Sequence, residues 1–304
     1  MFDLIIIGGG PAGITAGIYA ARKKLNTLLV TKDFIGQTGK AFHIENYPGF
    51  EGISGIELME KFRKQLEKFE IDINQGEEAK EIKKVKEGFE IRTTQKDRYL
   101  AKSIIIASGR DPRLLEVPRE KEFLGRGVSY CTTCDAPLFQ DKTVAIIGGG
   151  NAGFEAALEL TNYCPKIYIL EVSSKVGADE INQERAKNSG KIEVILNAKV
   201  KEIKGKEKVT SLIYENLHKK EKKELPVEGV FVEIGSIPAT GFLKDLVDFN
   251  EQDEIKINPK TCETKTPGLF AAGDVTDVKD KQIIVAAGEG AKAALSAYEY
   301  LQKI

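Results

Sequence analysis

The stretch Leu4-Ile5-Ile6-Ile7-Gly8-Gly9-Gly10-Pro11-Ala12-Gly13 is an apolar run broken by glycines, and its pattern returns as Val144-Ala145-Ile146-Ile147-Gly148-Gly149-Gly150-Asn151-Ala152-Gly153. Both copies fit the spacing G-x-G-x-x-G, with glycines at 8, 10 and 13 and again at 148, 150 and 153. Each apolar run reads as a buried strand. Each glycine turn opens a helical stretch, through Arg22 in the first copy and from Phe154 to about Leu160 in the second. Second apolar runs follow, Thr27 to Val30 and Ile167 to Leu170. Each copy therefore predicts strand, glycine turn, helix and strand, the βαβ unit of a parallel sheet. There the first glycine permits a tight turn and the second lets backbone approach a pyrophosphate. The third lets helix and strand pack closely, while the helix N-terminus supplies N–H donors. Two ordinary glycine turns are the plain alternative; two dinucleotide sites are the expectation.

A repeat this widely spaced is a repeat of domains rather than a solenoid, and 304 residues suit two domains. Lys plus Arg is 45 against 46 for Asp plus Glu, which gives no electrostatic case for nucleic acid as a partner. Apolar residues at 41% and charged residues at 30% are ordinary for a globular chain. The opening run Leu4 to Ile7 is too short and lacks the basic flank of a signal peptide. No stretch approaches the ~20 apolar residues of a membrane span. A cytoplasmic protein with no membrane partner is the expectation.

Nucleotide choice is read at the end of the second strand of each copy, where an acid bonds ribose hydroxyls and an arginine suits a 2′-phosphate. In the second copy that strand ends Ile169-Leu170-Glu171-Val172-Ser173-Ser174-Lys175. Glu171 is placed to accept from the ribose of NADH and to repel a 2′-phosphate, and Lys175 lacks a guanidinium's fork. NADH is favoured over NADPH, with a surface glutamate at a strand end as the bland reading. The first copy ends Val30-Thr31-Lys32-Asp33, without a well-placed acid. A tightly held FAD does not depend on that one contact. Two further strands end in small residues or an acid, Ile104 to Gly109 and Leu269 to Asp274. Open α/β sheets bind ligands at strand carboxyl ends, so Gly109, Gly273 and Asp274 are expected to face a cofactor. The first domain is then completed by the C-terminal segment. This predicts residues 1–112 and 243–304 as one domain, with 113–242 inserted within it as the pyridine-nucleotide domain.

Four cysteines are too few for a disulfide scaffold. Two of them form Cys131-Thr132-Thr133-Cys134, followed by Asp135-Ala136-Pro137. Zinc would usually need two more ligands, but Cys164 and Cys262 are single and His43 and His218 are distant in sequence. A purely structural pair is the other bland reading. A redox dithiol is favoured, because a two-residue gap allows a small, reversible disulfide ring. Asp135 is then a candidate proton carrier for the sulfurs, against the alternative of a turn aspartate. Cys164 reads as a helix-end residue and Cys262 as part of a strand-like segment, both packed or incidental. His43 is expected near a cofactor loop. His218 is expected in the Lys/Glu-rich region Lys199 to Glu224, which alternates like a solvated antiparallel ribbon.

Two dinucleotide fingerprints, with a C-x-x-C just before the second, resemble the low-molecular-weight thioredoxin reductases over essentially the whole chain. The likeness is closer still to the flavoprotein portion of bacterial alkyl hydroperoxide reductase. It is carried by Gly8 to Gly17, by Glu45-Asn46-Tyr47-Pro48-Gly49-Phe50, and by Ser129 to Asp135. Ala271-Ala272-Gly273-Asp274, Lys281-Gln282-Ile283 and Gly288 to Ala294 also match. The resemblance implies FAD in the first domain, with Gly8, Gly10, Pro11, Ala12 and Gly13 at its pyrophosphate. Gln37 and Asn46 would line the flavin side, and Asp274, Gln282 and Ile283 its ribityl chain and ring. Gly148, Gly150, Asn151 and Gly153 would hold the pyridine nucleotide. Electrons would pass from NADH through FAD to Cys131–Cys134, with Cys134 facing the flavin, Cys131 attacking the partner and Asp135 as acid–base. The acceptor would be a thioredoxin-like or glutaredoxin-like protein. The resemblance also implies a homodimer and rotation of the two domains.

The sequence departs from this pattern in places. Val172-Ser173-Ser174 replaces the His and Arg residues that bind a 2′-phosphate, and Glu171 is similar to the NADH-using relatives. Ala136 stands where the family has Gly, and Ile35-Gly36-Gln37 keeps one of two usual glycines. A chain starting at its first βαβ strand is expected to hand electrons to a separate protein. Rival readings are a nicotinamide-independent relative, a peroxide-forming NADH oxidase and a flavoprotein redox sensor.

Overall fold

The computed structural model describes residues 1–41 and 44–304, so His43 lies outside the described residues. Two compact units emerge: Met1–Phe42, Tyr47–Asp111 and Ile237–Ile304 form unit 1, and His43–Asn46 and Pro112–Ser236 form unit 2. The chain opens with β1 (Phe2–Ile7), α1 (Pro11–Arg22), β2 (Thr27–Thr31), α2 (Gly55–Leu66) and β3 (Asp72–Gln75). β4 (Ala79–Val85), β5 (Gly88–Thr93), β6 (Arg98–Ile106) and β7 (Arg110–Pro112) follow. Next come β8 (Val128–Ser129), α3 (Thr132–Asp135), β9 (Thr143–Ile147), α4 (Asn151–Leu160), β10 (Lys166–Leu170) and α5 (Glu180–Asn188). β11 (Ile192–Ile195), β12 (Ala198–Gly205), β13 (Val209–Asn216), β14 (Glu221–Pro226) and β15 (Gly229–Val232) complete unit 2. The return runs through β16 (Ser236–Pro238), β17 (Leu269–Ala271) and α6 (Ile283–Leu301).

In unit 1 the sheet order is β3-β2-β1-β6-β5-β4, with β17 also pairing β6. Strands β1, β2, β3, β6 and β17 pair in parallel, while β4 and β5 form an antiparallel edge. Leu4, Ile5 and Ile6 are fully buried. A parallel strand covered on both faces needs a continuous apolar run, which is why this stretch does not alternate. Proline at the first helical position starts α1, where its missing N–H costs nothing. Small residues then let α1 and α6 close on each other: a Cβ on Gly290 would lie 2.0 Å from the Ala12 carbonyl oxygen. Ala12, Ala16, Ala286, Ala293 and Ala297 share that core. The other face packs Ile5, Ile7 and Ile106 with Leu243 and Val275. The Phe242 carbonyl accepts from Ile82 N at 3.2 Å. The return to unit 1 therefore falls at 236/237, ahead of the expected 242/243, because residues 237–243 bond and pack on the first sheet.

Unit 2 has a parallel sheet in the order β11-β10-β9-β15-β8. Phe154, Ala157 and Leu160 of α4 pack on Ile146 and Ile169. Helix α4 starts at Asn151, three residues before the sequence expectation. The region Lys199 to Glu224 is three antiparallel strands, β12-β13-β14. It is a cover rather than a solvated ribbon: Val200, Ile203 and Leu212 turn inward to Ala145 and Val230. Cys262 is not in a strand either; it sits in a turn with φ +60°. Among the described residues no helix is long and apolar enough to cross a membrane.

Candidate functional site

The two glycine turns sit at the carboxyl ends of β1 and β9, where each strand is flanked by neighbours reached in opposite directions. That crevice is where open α/β sheets bind ligands. Gly8 and Gly148 have φ of +115° and +122°, and a Cβ on them would lie 2.2 Å from the Ala107 carbonyl oxygen and 2.4 Å from that of Glu233. A Cβ on Gly13 or Gly153 would lie 1.9 or 2.0 Å from the carbonyl oxygen of Gly8 or Gly148. The protein's own packing explains these four glycines. It does not explain Gly10 and Gly150. Both have extended backbone, with φ of −77° and −85°, and a Cβ there would meet nothing within 4 Å.

Gly10 and Gly150 are also the N-caps of α1 and α4. Neither helix has a side-chain cap or an acid in its first turn. The first N–H groups and the positive helix ends are thus left for an external anion. A pyrophosphate close to backbone fits both cradles, so the residues present suit two dinucleotides. Asn151 donates through Nδ2 to Asp179 Oδ2 at 3.1 Å and accepts from Asp179 N at 2.8 Å, fixing the mouth of the second cradle.

Unit 1 gathers most of the other expected cofactor residues. Pro11 and Ala12 form the first turn of α1. Gly109 has φ +68° and open space where a Cβ would be, and Gly273 turns the chain after β17 at φ +79°. Asp274 follows, half-buried. Burial pushes its pKa up, against the opposing charges of Lys281 and Arg110. Gln282 is the N-cap of α6 and Ile283 its first residue. Gln37 donates to Asp111 and accepts from Lys40 Nζ at 3.2 Å. Asn46 is exposed and groups with unit 2, so unit 1 by itself does not bring it to Gln37 and Asp274.

In unit 2, Glu171 closes on the glycine turn. Its Oε2 accepts from Gly149 N at 2.7 Å and its Oε1 from Ser173 N at 2.8 Å. Burial pulls its pKa up, but the N–H groups of Ser173, Gly149 and Val172 outweigh that and hold it below the usual carboxylate value. A fixed negative charge therefore stands at the end of β10. It suits a ribose diol and disfavours a 2′-phosphate.

The redox pair lies in the same unit. Cys131 and Cys134 form a disulfide with Cα atoms 5.3 Å apart. The turn is built by Ser129, whose Oγ accepts from Cys131 N at 3.1 Å and donates to Asp135 Oδ2 at 2.6 Å. Asp135 Oδ1 is buried with no hydrogen-bond partner among the described residues. Burial pushes the Asp135 pKa up, with the Ser129 hydroxyl opposing it. A carboxyl of this kind is suited to holding a proton beside a disulfide and releasing it when the charge balance changes.

The remaining cysteines are unsuited to exchange. Cys164 and Cys262 are fully buried, and burial pushes their thiols up to about 11 and about 12. Among the described residues no group of three or more His, Cys, Asp and Glu could hold a metal. His218 lies in the exposed β13–β14 turn, its N–H donating to Asn216 Oδ1 at 3.1 Å.

Two acids escaped the sequence reading, Glu233, half-buried, and Glu289, buried. Glu233 follows the apolar run of β15, and its Oε1 accepts from Thr132 Oγ1 at 2.9 Å. Glu289, on α6, accepts through Oε2 from Gly273 N at 2.8 Å and from Thr276 Oγ1 at 3.4 Å. An acid just past an apolar strand marked Asp274, and the same signal marks Glu233. Glu289 lies inside a matching motif, but its partner was invisible without the fold.

A family model described as pyridine nucleotide-disulphide oxidoreductase matches residues 2–290. The F subunit of alkyl hydroperoxide reductase of Staphylococcus aureus (strain Mu50) is 39% identical over 300 residues, covering 99% of this chain and 59% of the relative. The Pseudomonas aeruginosa protein of that name is 40% identical over 304 residues, covering 99% of this chain and 58% of its own. The chain thus spans about 59% of the length of such a relative. Among solved structures, thioredoxin reductase from Streptococcus pyogenes MGAS5005 superposes with a TM-score of 0.95 at 37% identity, over 100% of this chain and 99% of that one. That from Giardia duodenalis gives 0.93 at 34% identity, over 99% of each chain.

Proposed function

The chain belongs to the pyridine nucleotide-disulphide oxidoreductase family, and from that premise we propose that it carries electrons from NADH through FAD to Cys131–Cys134. The disulfide of a thioredoxin-like or glutaredoxin-like protein then receives them. The observation that carries this reading is the Cys131–Cys134 disulfide backed by Asp135, whose buried Oδ1 has no partner among the described residues.

FAD, when bound, supplies a two-electron relay between a hydride donor and a disulfide. In unit 1, Gly8, Gly10 and the first turn of α1 would hold its pyrophosphate, with Asp274, Gln282 and Ile283 along its ribityl chain and ring. In unit 2, Gly148, Gly150, Asn151 and Gly153 would hold NADH, and Glu171 would take its ribose. Reduction of Cys131–Cys134 breaks the S–S bond and ends, with two electrons and two protons gained, as two thiols. Cys134 faces the flavin in this reading. Cys131 passes its proton to the Asp135 carboxylate and attacks a sulfur of the partner's disulfide, forming a mixed disulfide and releasing a partner thiolate. Asp135 gives that leaving sulfur the proton. Cys134, losing its proton the same way, then attacks Cys131, restores the original bond and releases the second partner sulfur, which takes that proton. The likeness to thioredoxin reductases supports a homodimer in the cytoplasm.

Anaerobic mixing with NADH tests the donor: bleaching of the flavin band supports the reading, and no bleaching by NADH or NADPH ends it. Incubation with a panel of thioredoxin-fold proteins, read as free thiols released, identifies the acceptor class. If no member is reduced, the proposed acceptor is wrong.

A further inference from the structure

Both threonines between the redox cysteines are tied to carboxylates from distant parts of unit 2. Thr132 Oγ1 donates to Glu233 Oε1 at 2.9 Å, and Thr133 Oγ1 donates to Glu159 Oε2 at 3.1 Å. Thr132 is buried, whereas Thr133 is exposed. The two ties therefore differ in weight: an exposed hydrogen bond competes with water, and a partly buried one competes less. Glu233 follows Val232 of the wholly buried strand β15, and its carbonyl oxygen packs where a Cβ on Gly148 would be, at 2.4 Å. Its backbone N–H donates to the Ile147 carbonyl at 2.8 Å, and the carboxyl is delivered to the residue next to Cys131.

Resting on the reading of Cys131–Cys134 as the redox pair, we propose that Glu233 is a positioning residue of that pair. Through Thr132 it fixes the turn between the sulfurs, and as a half-buried carboxylate it opposes thiolate formation there. The titratable groups around this corner are Glu159 from α4, Asp135 of α3, and Tyr130, whose hydroxyl donates to Glu120 at 2.6 Å. Burial pushes Glu233 up to about 7, the Thr132 hydroxyl lowers it, and the charge of Glu159 adds to the rise. Two negative charges in one poorly solvated corner repel, so a thiolate and an ionised Glu233 disfavour one another. The reduced pair is kept as thiols near neutral pH, and protonation of Glu233 makes the attacking thiolate easier to form.

Iodoacetamide reads this without nicotinamide, flavin turnover or a protein partner. Its carbon accepts the thiolate sulfur while iodide leaves. The full chain is reduced with dithiothreitol, freed of reductant anaerobically and alkylated across a range of pH, with adducts at Cys131 and Cys134 located by mass spectrometry. In E233Q an amide oxygen still accepts from Thr132, but the charge is gone. We expect its alkylation profile to move to lower pH by about half a unit or more, about threefold faster near neutral pH. In T132V the hydroxyl that favours the Glu233 carboxylate is gone and the acid is held more fully protonated near neutral pH, so adding E233Q is expected to produce less than half of that change. Superimposed profiles for E233Q and the parent protein overturn the inference, as does an undiminished effect of E233Q in T132V. Failure of Cys131 and Cys134 to form a disulfide on mild oxidation of any of these chains would instead remove the redox-pair reading beneath it.

Discussion

Gly10 and Gly13 stand three residues apart in one motif and do different work. A methyl at Gly13 would collide with the Gly8 carbonyl oxygen at 1.9 Å, whereas a methyl at Gly10 meets nothing within 4 Å. G13A should therefore lose several kcal/mol of stability, read as a fall in Tm of unit 1. G10A should melt within about a degree or two of the parent, since Ala is compatible with its extended backbone, yet retain much less FAD on gel filtration. Equal FAD content in G10A and the parent would contradict the cradle. At the second cradle, E171A should raise KM for NADH about tenfold or more and narrow the gap to NADPH, because one ribose contact of about 1.4 kcal/mol is lost. Unchanged ratios would refute the assigned ribose contact. D135N keeps an oxygen for the Ser129 hydroxyl but cannot carry the proton. Its turnover with a disulfide substrate should drop about a hundredfold or more while flavin bleaching by NADH is spared. These residues were legible in the sequence because their chemistry is local, in glycine spacing, a C-x-x-C and an acid at a strand end. The role of Glu233 was not, although its place past an apolar strand marks it, because its partner Thr132 lies 101 residues away.

At the scale of elements, α1 is held between its own sheet and α6, and small residues make the approach possible. G290A would bring a methyl to 2.0 Å from the Ala12 carbonyl oxygen. It should cost about 1–3 kcal/mol and, because Ala12 lies in the first turn of α1, weaken FAD retention as well. A variant with normal Tm and normal flavin content would contradict this packing. Glu289 couples the same helix to the site, since its carboxyl holds the Gly273 N–H beside Asp274. The βαβ elements were readable because parallel strands buried on both faces write continuous apolar runs. The cover β12-β13-β14 read as a solvated ribbon because alternation reports that one face is buried, not what buries it. Cys262 misled for another reason. Its segment reads as strand-like, but its left-handed backbone places it in a turn packed under α6, with its Sγ 3.7 Å from the Glu289 carbonyl oxygen.

For the molecule as a whole, four carboxyl groups, Asp135, Glu233, Asp274 and Glu289, are pushed above their ordinary values, chiefly by burial. The folded chain then keeps protons that the unfolded chain has released. The share of stability that these four groups contribute should be fully present at acidic pH and decline as pH rises from the ordinary carboxylate range toward about 7, where Glu233 titrates, whereas carboxylates held below their ordinary values, such as Glu171 and Glu254, lose theirs as pH falls. E233Q should flatten that decline by roughly 1–3 kcal/mol, seen as a smaller difference in Tm between about pH 5 and pH 7.5. An identical decline in both proteins would refute the raised titration of Glu233. At this scale the sequence announced two nucleotide-binding units and the insertion of one within the other. It missed the point of return by six residues, because an irregular segment such as 237–243 shows its allegiance by what it bonds to. Electrons are proposed to pass through two centres in one chain, and an anaerobic reductive titration with NADH counts those centres. The FAD-loaded parent should take up about two equivalents of NADH per chain, one for the flavin and one for Cys131–Cys134, and C134S should take up about one. Equal uptake by both proteins, or none by either, would contradict that path.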